Sequence, residues 1–120
     1  MEMSAKLRRL IDSLTDSTLR GAVTWKATGE LDWYLYDGGS GAVVVGSMHN
    51  DGQWPHGIRV LDEDGVEVTS FAENWVDDGH EGYQSTEVTN VYHAAKDAEV
   101  RFAGVIDSLL AGLERVPAHA

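Results

Sequence analysis

Apolar residues recur at three- and four-residue steps through the last third of the chain: Val88, Val91, Tyr92, Ala95, Ala98, Phe102, Val105, Ile106, Leu109, Leu110 and Leu113. That spacing predicts one long amphipathic helix, starting between Ser85 and Asn90 and stopped by Pro117. A shorter stripe, Leu7, Leu10, Ile11 and Leu14, predicts a first helix from Ser4, whose hydroxyl suits an N-cap. Its end is less sharply written. Thr15 to Thr18 favour turns or caps, whereas Arg20 and Gly21 suit a last turn and the glycine that follows it.

Between the helices the period changes from about four to two. Gly21–Lys26 predicts a first strand with Val23 and Trp25 on one face, and Leu31, Trp33 and Leu35 then alternate with Asp32, Tyr34 and Tyr36. Ala42–Gly46 is a Val-rich run suited to the middle of a sheet. Ile58–Leu61 and Val66–Thr69 flank Asp62-Glu63-Asp64-Gly65, a hairpin turn with glycine at a left-handed position. Two polar loops, Gly46–Gly57 and Glu73–Gln84, complete the chain. The order is therefore helix, about five antiparallel strands, helix. The expected fold is a single α+β domain with both helices covering one face of a meander.

The positions Thr18, Gly21, Val23 and Trp25, the Ile58–Val68 hairpin around Asp64-Gly65, and Val91-Tyr92-His93-Ala94-Ala95-Lys96 running on to Ile106, Leu109 and Leu110 resemble a pattern found in small bacterial and phage proteins. Those proteins share the helix–meander–helix plan and mostly have no assigned function. The resemblance implies the fold and brings no active site with it.

Charge narrows the choice of partner. The formal net charge is -11, and between Ala27 and Ala95 13 acids stand against a single base, Arg59. A phosphate-binding surface is therefore not expected, nor direct contact with nucleic acid. No apolar run approaches the roughly 18 residues of a membrane span, and no signal-peptide pattern opens the chain. A cytoplasmic protein is the expectation. There is no cysteine, which removes disulfides, thiolate ligands and cysteine nucleophiles.

Chemistry is thinly represented. His49, His56 and His80, with Asp51, Asp77, Asp78 and Glu81, are the candidate metal ligands, but none has the spacing of a helical His-Glu-x-x-His site or of a calcium loop. Ser47, Ser70 and Ser85 lack a nucleophile elbow, and Gly38–Gly41 precedes a strand rather than a helix. No cofactor is expected. The aromatic residues are more informative: Trp25 and Trp33 read as core, Tyr34 and Tyr36 face away from Trp33, and Trp54 and Trp75 sit in loops where they either seal the core or anchor a partner.

Length supplies the argument about association. A helix over Ser85–Arg115 runs about 45 Å at 1.5 Å per residue, whereas five strands cover about 24 Å. The excess stripe, Val105, Ile106, Leu109, Leu110 and Leu113, calls for a second chain, unless the helix crosses diagonally or breaks near Gly104. The expected function is a non-catalytic, homodimeric interaction or regulatory module bound to another protein, with Tyr34, Tyr36, Trp54 and Trp75 as further interface candidates. The alternatives are an acidic antagonist covering a basic surface, of immunity, antitoxin or DNA-mimic type, and a small metal-dependent enzyme using the His and Asp loops.

Overall fold

A computed structural model describes residues 4–73 and 86–115. The chain forms α1 (Ala5–Leu19), β1 (Lys26–Ala27), β2 (Trp33–Asp37), β3 (Gly41–Ser47), β4 (His56–Asp62), β5 (Glu67–Ala72) and α2 (Thr86–Glu114). The strands form one antiparallel sheet in the order β1-β2-β3-β4-β5, so every strand pairs with its neighbour in sequence. The fold is the α+β helix–meander–helix arrangement.

The start of α1 follows from Ser4, whose Oγ accepts the Leu7 backbone N–H at 3.1 Å. The helix continues through the Thr-rich stretch instead of breaking there. Thr15 and Thr18 turn their hydroxyls onto the carbonyls of Ile11 and Leu14, at 2.8 and 2.6 Å, and so stop competing with the helix for backbone groups. Gly21, at φ 73°, closes it: its N–H donates to the Thr18 carbonyl while Ala22 N–H donates to that of Ser17.

The expected first strand, Gly21–Lys26, shrinks to the two residues Lys26 and Ala27. A side-chain relay replaces the ladder. Trp25 Nε1–H donates to Thr18 Oγ1 at 2.9 Å, tying the segment to α1 and burying the indole. At the far end of the sheet, Asp62 Oδ1 accepts the N–H groups of Asp64 and Val66, and Gly65 adopts φ 83°. The Asp62–Val66 hairpin therefore has the left-handed glycine its sequence predicts.

The core is one cluster. Leu7, Ile11 and Leu14 of α1 and Val88, Val91, Tyr92 and Ala95 of α2 meet Trp25, Tyr34, Val43, Val45 and Ile58, with Tyr36, Val60 and Phe71 at its margin. Register explains the set, since Tyr34 lies beside Val45 and Val45 beside Ile58, all on one face.

This arrangement reverses the face expected for β2. Tyr34 lies in the core and Tyr36 packs on Trp25, while Trp33 turns to the opposite side. Trp33 is nevertheless only 3% exposed. Gly46 and Gly57 supply the reason: neither has a Cβ, and the indole lies in the trough they leave on the outer face.

Candidate functional site

Three features of the described residues are candidates for function: the free end of α2, a buried polar cluster at the edge of the core, and the outer face of the sheet.

The α2 end begins where the core stops. Val91, Tyr92 and Ala95 are fully buried, but Val100, Phe102, Val105, Ile106, Leu109, Leu110 and Leu113 are all classed as exposed, from 40% at Ile106 to 70% at Leu113. The helix does not break at Gly104; it runs unbroken for 29 residues. It overhangs the sheet, and the protein measures 69 Å along its longest axis against 32 and 26 Å across. One hundred degrees per residue places Phe102, Ile106, Leu109 and Leu113 on the same side as Val91 and Ala95. The overhang is thus a direct continuation of the core-facing stripe with nothing beneath it among the described residues.

The second feature is a carboxylate buried beside an imidazole. Glu73, just past β5, and His56, the first residue of β4, are each 3% exposed. Glu73 Oε1 accepts the His56 backbone N–H at 2.9 Å and lies 3.0 Å from His56 Nδ1. Thr89 of α2 completes the group, its hydroxyl 2.8 Å from both carboxylate oxygens and 3.0 Å from Nδ1. Nδ1 is therefore the ring nitrogen placed to donate to the carboxylate. His56 also stacks on Tyr92, with ring centroids 4.4 Å apart.

Such a pair resembles half of a proton relay, yet Nε2 and the Tyr92 hydroxyl are both sealed from solvent. General base work needs a reactant within hydrogen-bond reach, and the burial of Nε2 prevents that approach. What the group does is mechanical: it fastens the end of β5 to the start of β4 and to the first turns of α2. Burial is also the first cause of the raised pKa values of Tyr92 and Tyr34; Tyr92 and then Asp32 add to it at Tyr34 against the lowering pull of Lys96, and Asp32 and Asp51 add to it at Tyr92.

The metal candidates separate accordingly. His56 is committed to Glu73, His49 is exposed, and Asp51 braces its own loop by accepting Gln53 N–H at 2.9 Å and the Ser47 hydroxyl at 2.8 Å. Those bonds, the Gln53 amide first, hold the Asp51 carboxyl below its usual pKa. No three His, Asp or Glu side chains cluster to hold a metal among the described residues. His80, Asp77, Asp78, Glu81 and Trp75 lie outside the described residues. Neither His56 nor Ser47 belongs to a loop, since they face one another in the β3–β4 ladder.

On the outer face of the sheet, the Arg59 guanidinium carbon sits 4.4 Å from the centre of the Trp33 ring, with Leu35, Val44 and Leu61 half-buried around it. Neither helix contributes to this side among the described residues. Trp54 is half-buried and Tyr36 is occupied by Trp25, so of the aromatic interface candidates Tyr34 is removed outright by its place in the core.

Protein families, curated proteins and solved structures give no match to this chain. The reading of function therefore rests on the residues themselves. Sequence periodicity alone found the overhang. It missed the Glu73–His56–Thr89 group, whose members are far apart in the chain and of which the sequence singles out only His56, as a loop residue and candidate metal ligand. No described helix is long and apolar enough to cross a membrane.

Proposed function

We propose that the chain is a non-catalytic interaction or regulatory module that forms a homodimer through the overhanging end of α2 and offers a further surface to another protein. The observation that carries this reading is the run of exposed apolar side chains from Phe102 to Leu113 on an unbroken helix. Isolated exposed leucines are ordinary, but six large apolar residues from Phe102 to Leu113 on or beside one face of a projecting helix form the kind of patch that marks an interaction site. The helix–meander–helix plan leaves that end uncovered among the described residues.

Sedimentation equilibrium tests the proposal. The native protein is expected to form a species of twice the 13.1 kDa chain mass. Leu109→Asp is expected to give a folded monomer with an unchanged far-ultraviolet spectrum. A native monomer at high concentration, or an unfolded Leu109→Asp variant, refutes it.

A second reading is favoured by a separate observation. Glu63, Asp64 and Glu67 are all exposed on the β4–β5 hairpin, while Arg59 is drawn back over the Trp33 ring. An acidic antagonist would set this hairpin against a basic protein surface. Its complex would weaken steeply as salt rises through the range in which exposed charges are screened, and an apolar complex would not.

A further inference from the structure

We infer that the two copies pair through α2 in the antiparallel sense, so that each domain sits beyond the far end of the other's overhang. This rests on the dimer proposed above and adds its geometry.

The occupant follows first from area. Six side chains on or flanking the apolar face of the overhang, Phe102, Val105, Ile106, Leu109, Leu110 and Leu113, are about half exposed and at roughly 100 Å² each offer about 600 Å² per copy, most of the roughly 800 Å² that each partner of a standard interface buries. The patch is a single helical stripe about three turns long, and an identical stripe is its natural complement in length and width.

The sense of pairing follows from the shared side of the helix. Val88, Val91, Tyr92 and Ala95 occupy the same face as Phe102, Ile106, Leu109 and Leu113, and on the first set lie α1 and the sheet. A partner helix must lie on that same face, about 8–10 Å away, if it is to cover the overhang. In a parallel dimer the partner would run on toward Val88, straight into the layer about 10 Å deep that the sheet and α1 already fill. The helices would have to splay before Ala98 and would touch at one crossing point. Turned end for end, the partner helix runs out past Leu113, where α2 ends at Glu114, and its own domain stands clear. The whole stripe is then covered, with Phe102 opposite the partner's Leu113 and the Ile106–Leu109 region about the two-fold axis.

The chain contains no cysteine, so introduced thiols report on this arrangement without background. Phe102→Cys and Leu113→Cys are both at exposed positions and are purified separately, the first with a tag that changes its mass. Leu109→Cys, on the stripe near the midpoint, is the control, because a short bismaleimide links it to its counterpart in either arrangement. After subunit exchange, mixed Phe102→Cys and Leu113→Cys proteins are expected to give the mass of the mixed dimer under mild oxidation. Each alone should give little, since antiparallel pairing separates two copies of position 102 by about 16 Å along the axis, beyond the roughly 7 Å Cα limit of a disulfide.

Efficient linking of Phe102→Cys to itself overturns the antiparallel sense while leaving the dimer standing. Dimers that link at none of the three positions overturn the overhang as the seat of pairing. Monomers by sedimentation overturn the dimer itself.

Discussion

Trp33 lies on the outer face of the sheet with the Arg59 guanidinium carbon 4.4 Å from its ring centre, and the glycines Gly46 and Gly57 form the floor beneath it. A large aromatic ring is thereby buried without a helix above it. Gly46→Ala tests the floor. A Cβ there overlaps the indole, so the ring or the strand must shift, and a loss of about 2–3 kcal/mol in urea denaturation is expected.

Arg59→Ala tests the lid. Loss of the cation over the ring should cost about 1 kcal/mol and expose Trp33, seen as a red shift in tryptophan emission. Unchanged emission with unchanged stability would show that the guanidinium contributes nothing there.

The clamp at Glu73 makes a graded prediction. Thr89→Val removes one donor and should cost about 1–2 kcal/mol. Glu73→Ala strands the His56 backbone N–H, the His56 ring N–H and the Thr89 hydroxyl together, and about 3–5 kcal/mol is expected. Equal losses from the two substitutions would contradict the arrangement.

Alkaline stability follows from Tyr34 and Tyr92. Both pKa values are raised in the folded chain by burial, so folding favours the neutral phenols. The unfolded chain releases these protons near pH 10, at the ordinary tyrosine pKa. Their contribution is therefore complete below about pH 10 and declines as pH rises beyond it. Phenolate absorbance should show two tyrosines titrating late, together with unfolding, and Tyr92→Phe should remove part of that pH dependence.

The two halves of α2 should respond oppositely to truncation. At concentrations low enough to keep the chain monomeric, Val91→Ala should cost about 2 kcal/mol and Leu109→Ala no more than about 0.5 kcal/mol. At high concentration the Leu109→Ala variant should lose the stability that association supplies.

Much of the fold was legible because long, regular patterns carry it. The α2 stripe, the Asp62–Gly65 turn, the Ser4 cap and Gly21 each announced an element through one physical requirement. β2 was misread by one face because alternation specifies which residues share a side, not which side is buried. Gly46 and Gly57 decided that, and they are adjacent to Trp33 only once the strands pair. The strand around Trp25 was overestimated because the Thr18 hydroxyl, seven residues earlier, holds the indole in place of a ladder. The buried Glu73 was unreadable for a similar reason: an acid among many acids looks solvated until His56 and Thr89 arrive from other elements.

The meander order has a consequence for how the molecule assembles. Each strand finds its partner a few residues away, so the sheet can zip from any hairpin with little loop-closure entropy. The seam between α1 and α2 instead brings together the first and last elements of the described chain, a meeting far apart in sequence. Substitutions at Ile11 or Val91 should accordingly speed unfolding far more than they slow folding, whereas those in the β3–β4 ladder should chiefly delay the forward reaction.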